Sequence, residues 1–200
     1  MKRLKTRCEA EITEKKSRFI AIALPIRSLD EVKAAVKAVW QEHPDATHVV
    51  HAAVAGASGT LFSCSDDREP KNTAGRPALE VLKGSGITDI LVCIVRYFGG
   101  TLLGTGGLVK AYSDSVKEVL KKAETEEIIA RTGFCILTGY EYYDKLRHAL
   151  ASFDITQLNE NFLEGITITG RLASDEKDSF EKTFSQVTMG RARLTFSSGE

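Results

Sequence analysis

Apolar and polar residues alternate from Glu9 and then give way to a nearly apolar run ending at Pro25, in EAEITEKKSRFIAIALP. That change of rhythm predicts two short strands, or one bent strand, with Lys15 and Lys16 near the turn. Ser28 with Glu31 has the spacing of a capping box, and Val32, Ala35, Val36, Val39 and Trp40 follow at the i, i+3, i+4, i+7, i+8 positions of a buried helical stripe. Pro44 closes this helix. Residues 47–55 and 60–65 flank Gly56-Ala57-Ser58-Gly59 and predict a β-hairpin.

A polar loop, SDDREPKNTAGRP, comes next, and Pro77 introduces a short helix over 78–83 that Gly84 or Gly86 stops. Residues 87–98, ITDILVCIVRYF, are almost continuously apolar and β-branched after a polar start. Such a strand is covered on both faces. A glycine-rich stretch separates it from a helix over about 108–123.

Beyond the acidic ETEE run the order becomes strand (128–138), helix (142–153), strand (155–162), strand (165–172), helix (175–187) and strand (191–196). Ser174 is placed to cap the second of these helices. This βαββαβ order is the ferredoxin-like unit. The fold class is therefore α+β, with a boundary near Glu126 that separates domains 1–126 and 127–200.

The glycine-rich stretch, RYFGGTLLGTGGLVKAY, constrains function most. Gly99, Gly100, Gly104, Gly106 and Gly107 allow positive φ and leave no Cβ between backbone N–H groups and a ligand. A loop of this kind ending at a helix N-terminus gathers unpaired donors and the positive end of the helix dipole, an arrangement that attracts an anion such as phosphate. Tight turns and close helix–strand packing use glycines too, with no ligand. Thr105 and Gly106 stand where a P-loop needs Lys and Ser/Thr, and the dinucleotide fingerprint lacks its third glycine. Arg96 before the loop and Lys110 after it suit a phosphodiester or another polyanion better than a specific nucleotide.

The chain has 200 residues, 42% hydrophobic and 27% charged, the composition of an ordinary globular protein. Its formal net charge is zero, but 19 basic against 16 acidic residues through Glu126 leave +3, and 8 against 11 beyond it leave −3. That asymmetry permits nucleic-acid contact by the first half without requiring it. No run approaches the length of a membrane span and the basic N-terminus lacks a signal-peptide core, so no membrane association and a cytoplasmic location are expected. Cys8, Cys64, Cys93 and Cys135 are scattered and predict reduced thiols without zinc or disulfides.

Asp66, Asp67 and Glu69 are close enough in sequence to hold a hard cation, but a solvated or Arg-paired turn is the favoured reading; if Asp66 or Asp67 pairs with Arg76 or Arg96, the pair holds the glycine-rich stretch in place. His48 and His51, three apart on a strand, point to opposite faces. Tyr97, Phe98 and Tyr112 lie next to cations in a pattern that stacks single-stranded bases, or that simply belongs to the core. No nucleophile motif emerges, and no catalytic residue, metal or cofactor is assigned.

Two long segments, SDDREPKNTAGRPALEVL and VRYFGGTLLGTGGLVKAYSDSV, together with KKSRFIA near the start and an ATH strand, resemble the bacterial two-domain branch of the IMPACT family. The resemblance implies an N-terminal domain of the two-layer α/β type shared by a small-subunit ribosomal protein and the GHMP kinases, and a C-terminal domain like those of elongation factor G. It also implies a regulator connected to translation. Eukaryotic relatives bind the activator of the amino-acid-starvation kinase, and bacterial members are proposed to bind nucleic acid or the ribosome. Carried over onto this chain, the motif positions are Arg18, His48, Asp66, Asp67, Glu69, Thr73, Gly75 and Arg76 in the first half, then Arg96, Gly99, Gly100, Gly104, Gly106, Gly107 and Lys110 around the glycines. Thr105 lies among them. Two departures stand out: Val50-His51-Ala52 where the family shows a Cys or Ala with an aromatic, and Arg68 for the glycine of SDDGEP.

Two functions follow as expectations. The first is a non-catalytic, translation-related module whose glycine-rich stretch, with Arg96, Lys110, Arg76 and Arg68, holds the phosphates of RNA or the ribosome. The second is an enzyme or sensor acting on a small phosphorylated ligand. A protein-binding scaffold with an empty glycine-rich stretch is a third possibility.

Overall fold

The structure, a computed structural model, describes residues 1–197. Internal contacts divide the chain into two compact units, one through Ile128 and one from Ile129. Strand β1 (Lys2–Leu4) lies in the basic N-terminal segment, where no strand is predicted. β2 (Cys8–Glu14) and β3 (Ser17–Pro25) are two strands rather than one bent one, joined through Lys15 and Lys16 at φ 44° and 69°. Positive φ at both central residues is what a type I′ turn requires, one of the two turns whose twist matches the strands of a two-residue hairpin.

Ser28 accepts from the backbone N–H of Asp30 and opens a 3-10 turn over Leu29–Glu31 that leads into α1 (Val32–Glu42). Glu31 accepts from the N–H of Arg27 instead of completing the predicted box with Ser28. β4 (His48–Ala55) and β5 (Leu61–Ser65) form the predicted hairpin, and α2 (Gly75–Gly84) follows. The long apolar strand is interrupted at Asp89, which takes φ 52° and divides it into β6 (Ile87–Thr88) and β7 (Ile90–Tyr97). Aspartate tolerates the left-handed region, and here its carboxylate accepts from Gly56 N–H at 3.0 Å in the β4–β5 turn.

α3 (Gly104–Lys121) begins four residues before the predicted start. Three glycines in its first turn carry low helix propensity, but Leu108, Ala111, Tyr112, Val116 and Val119 bury one face and that packing prevails. β8 (Thr125–Glu127) uses the acidic run read as a break, pairing with β1 opposite β6 in a small sheet ordered β6-β1-β8.

The main sheet of the first unit is antiparallel and ordered β2-β3-β7-β4-β5. α2 and α3 cover the face that carries Phe19, Ala21, Val50, Ala52, Val92 and Ile94. α1 adds cover to the second face, over Ile22, Val49, Leu91, Cys93 and Val95. β7 sits at the centre with Leu91, Val92, Ile94 and Val95 all fully buried, as an apolar run without alternation requires.

The second unit contains β9 (Arg131–Thr138), α4 (Tyr140–Leu150), β10 (Ile155–Phe162), β11 (Ile166–Ala173), α5 (Lys177–Thr188) and β12 (Arg193–Ser197). The antiparallel strand order β10-β11-β9-β12 is that of the ferredoxin-like fold. Both helices pack on one face through Leu146, Leu150, Phe180 and Phe184 against Phe134, Ile136 and Ile168. Ser174 starts a 3-10 turn and meets Thr132 Oγ1 at 2.9 Å, so it does not cap α5 as predicted.

Candidate functional site

Register determines which side chains meet. Arg96 near the end of β7 lies opposite Phe19 on β3 and His48 on β4, so all three project toward the face that α3 covers. A guanidinium there loses water and needs a counter-charge. Glu69, from the loop after β5, supplies it: Arg96 Nη1 stands 2.5 Å from Glu69 Oε1, with 5% and 8% of the two residues exposed. Tyr112 from α3 donates to the same oxygen at 2.7 Å, and its ring meets Phe19 edge-on. Burial, with the bond to Glu69 adding to it, pushes the Tyr112 phenol well above its ordinary value. Ser17 Oγ accepts from Arg96 Nη2 at 3.4 Å and from Gly99 N–H at 3.2 Å, which ties the glycine-rich stretch to the cluster. Arg96 Nε is buried and finds no acceptor.

His48 stands at the edge of this cluster. Its Nδ1 is 2.8 Å from the Asp67 carbonyl oxygen, an acceptor only, so in the neutral ring Nδ1 carries the proton and Nε2 presents a lone pair. Nε2 lies 3.9 Å from Glu69 Oε1. Outside these groups is a cavity of about 430 Å³ with Pro70, Phe98, Leu102 and Leu103 among its walls and Gly104 and Thr105 at the start of α3. Phe98 and Leu102 are 46% and 83% exposed, which makes the rim apolar.

The glycines have different duties. A Cβ at Gly99 would collide with the Lys16 carbonyl group, and one at Gly75 would fall 2.6 Å from the Ser65 carbonyl oxygen, so these two permit close backbone approach. Gly100 and Gly104 take φ 82° and 75° and, like Gly106, face open space. Gly104, Gly106 and Gly107 belong to the first turn of α3, not to a loop. No side chain caps that turn.

The acidic motif is structural in its contacts. Asp66 accepts from the N–H groups of Asn72, Ala74 and Gly75 at 2.8, 3.1 and 2.8 Å, which anchors the start of α2. Asp67 accepts from Val49 N–H at 2.7 Å. The pairing expected between these aspartates and Arg76 or Arg96 is replaced by Glu69–Arg96, because only Glu69 reaches the buried face. Thr73 Oγ1 closes the turn by donating to the Pro70 carbonyl. Among the described residues no cluster of three or more His, Cys, Asp or Glu is arranged to hold a metal ion.

The remaining candidates are dispersed. Arg18 falls on the opposite face of the sheet, over the Tyr97 ring at 4.6 Å. Lys110 pairs with Asp114 at 2.9 Å one turn along α3, and Arg68 and Arg76 are exposed. Of the aromatics expected beside cations, Tyr112 is fully buried and Tyr97 packs against His43, so Phe98 alone reaches the cavity. Sequence reasoning missed the Tyr112–Glu69 and Ser17–Gly99 contacts. Tyr112 and Ser17 are separated by 43 and 82 positions from the partners they bond, Glu69 and Gly99, and no local pattern joins them.

A family model of the Impact N-terminal domain matches residues 15–120, more than half of the chain and all of this cluster. The chain belongs to the IMPACT family. A second model, a domain of unknown function (DUF1949), matches residues 138–191 of this IMPACT-family chain. The chain is 35% identical to an IMPACT family member of Haemophilus influenzae over 179 residues, covering 88% of this chain and 87% of that protein. It is also 35% identical to IMPACT family member YigZ of Escherichia coli over 182 residues, 90% and 89% of the two chains. A crystal structure described as that of a hypothetical protein superposes with a TM-score of 0.69 at 32% identity, covering all of this chain and 98% of the other.

Proposed function

We propose that this IMPACT-family protein is a non-catalytic, translation-related regulator that binds RNA, free or in the ribosome, by seating a phosphate against the first turn of α3. One observation carries the reading: that turn has no side-chain cap, and Gly104 and Gly106 open it to solvent beside an exposed aromatic, Phe98. Uncapped N–H groups and the dipole end together favour an anion. Exposed Lys15 and Lys16 adjoin through the contact of Gly99 with Lys16, and Arg68 and Lys71 extend from the loop that carries Glu69. Arg96 acts from behind the wall, holding Glu69 and the glycine-rich stretch in place, rather than as an exposed phosphate ligand.

The test is RNA affinity measured across salt for the wild type and Thr105→Glu. A carboxylate at the exposed Thr105 occupies the helix end with like charge, so affinity falls by about tenfold or more and the salt slope becomes shallower. Equal affinity in the two proteins overturns the reading.

The cavity itself favours a second reading, an enzyme or sensor for a small phosphorylated ligand. Its volume of about 430 Å³ lies in the small-molecule range, and several of its walls are apolar. Thermal shift against nucleotides and phosphorylated metabolites, with and without Mg²⁺, tests it, since a ligand of the folded state raises the midpoint.

A further inference from the structure

We infer that the cavity beside α3 takes one nucleotide unit, its phosphate on the α3 N-terminal turn and its base, unstacked from any neighbour, between the walls formed by Pro70, Phe98 and Leu103. The inference rests on the reading of that turn as a phosphate seat and adds what lies next to the phosphate. Three observations carry it.

First, the space is too large for a phosphate alone and is continuous with the helix end, because Gly104 and Thr105 line it. Second, its wall offers a hydrogen-bonding group besides the helix end. His48 presents Nε2 with its tautomer set by the Asp67 carbonyl. Third, Phe98 stands half-exposed at the rim with the Arg96 guanidinium 5.6 Å from its ring centre, a platform for a flat π-system. A ligand that suits all three has an anionic end, a planar apolar-faced body and an edge carrying a donor for His48 Nε2. A sugar phosphate lacks the planar face and a fatty acid lacks the edge, whereas a nucleotide has each part.

Calorimetric titration of the full chain with the four nucleoside 5′-monophosphates, inorganic phosphate and ribose 5-phosphate tests this. At least one nucleotide is expected to bind about tenfold or more tightly than inorganic phosphate and ribose 5-phosphate. Phe98→Ala should remove that advantage, and Thr105→Trp, which fills the mouth from an exposed position, should abolish nucleotide binding. Both substitutions are at the surface, and their unfolding curves verify the fold. Nucleotides that bind no better than inorganic phosphate, or binding that survives Thr105→Trp, overturn the inference. Displacement of the bound nucleotide by single-stranded RNA identifies an RNA nucleotide as the natural occupant, and failure of RNA to displace it identifies a free nucleotide. RNA binding that depends on Thr105 while no nucleotide binds would leave the RNA reading in place and remove this one.

Discussion

Glu69 Oε1 meets Arg96 Nη1 at 2.5 Å in the interior of the first unit, and each residue needs the other to be there. Removing one member of such a pair strands the remaining charge out of water, a loss of about 3–5 kcal/mol. Arg96→Met and Glu69→Leu should each lower stability by that order in urea denaturation. The double variant Arg96→Met/Glu69→Leu should lose less than the sum, because neither charge is then left alone. Single losses below about 1 kcal/mol would contradict the buried pair. A consequence for binding work is that Arg96 variants confound affinity with folding, whereas Thr105 variants do not.

Tyr112→Phe tests the third member of the cluster. The substitution keeps the ring against Phe19 and deletes only the hydroxyl that donates to Glu69 at 2.7 Å. Hydrogen bonds to charged acceptors are worth about 1.5–3 kcal/mol, so a loss in that range is expected from chemical denaturation. A neutral result would mean that Arg96 alone satisfies the carboxylate.

Asp66 anchors the amino end of α2 through three backbone donors, so Asp66→Ala should destabilise the first unit by about 1–2 kcal/mol. Hydrogen exchange should report the loss first at Ala74 and Gly75. Uniform exchange across α2, unchanged from wild type, would assign the carboxylate a different duty.

Elements with a strong period were legible in the sequence: the stripe of α1, the β4–β5 hairpin and the βαββαβ order of the tail all stand close to their predicted places. β1 and β8 were not, since strands of three residues carry no readable alternation and depend on pairing, and β6 reads only as the start of β7 because the break at Asp89 has no periodic signal. The start of α3 was hidden by its own glycines, whose low propensity reads as loop until Leu108 and Tyr112 are seen to bury against the sheet. The site was legible in composition but not in wiring. Arg96, Glu69 and His48 are visible as motif residues, yet that Glu69 rather than Asp66 or Asp67 meets Arg96 depends on strand register and on the path of the loop after β5.

The glycines divide by what surrounds them, and substitution should reveal it. Gly106 is within the helix, lacks positive φ and has open space for 4 Å around the position an alanine methyl would take. Gly106→Ala should therefore raise stability by about 0.5–1 kcal/mol through helix propensity. Gly99→Ala drives a methyl onto the Lys16 carbonyl and should unseat the β2–β3 turn. Thermal denaturation of the two variants should shift in opposite directions. A stabilised Gly99→Ala would be incompatible with the close approach.

His51 makes stability depend on pH. It projects from β4 to the face that α1 covers, its Nε2 lies 3.3 Å from Ser63 Oγ, and burial lowers its pKa, with Asp67 opposing that shift. A histidine whose folded pKa is depressed binds fewer protons folded than unfolded as pH falls below about 6.5, so stability decreases on acidification and levels off only below the folded pKa. The urea midpoint of the wild type should therefore fall between about pH 7.5 and 5.5 more steeply than that of His51→Gln, which keeps a polar group near Ser63 and cannot titrate. Parallel slopes in the two proteins would mean that the ring is solvated well enough to take its proton in the folded state.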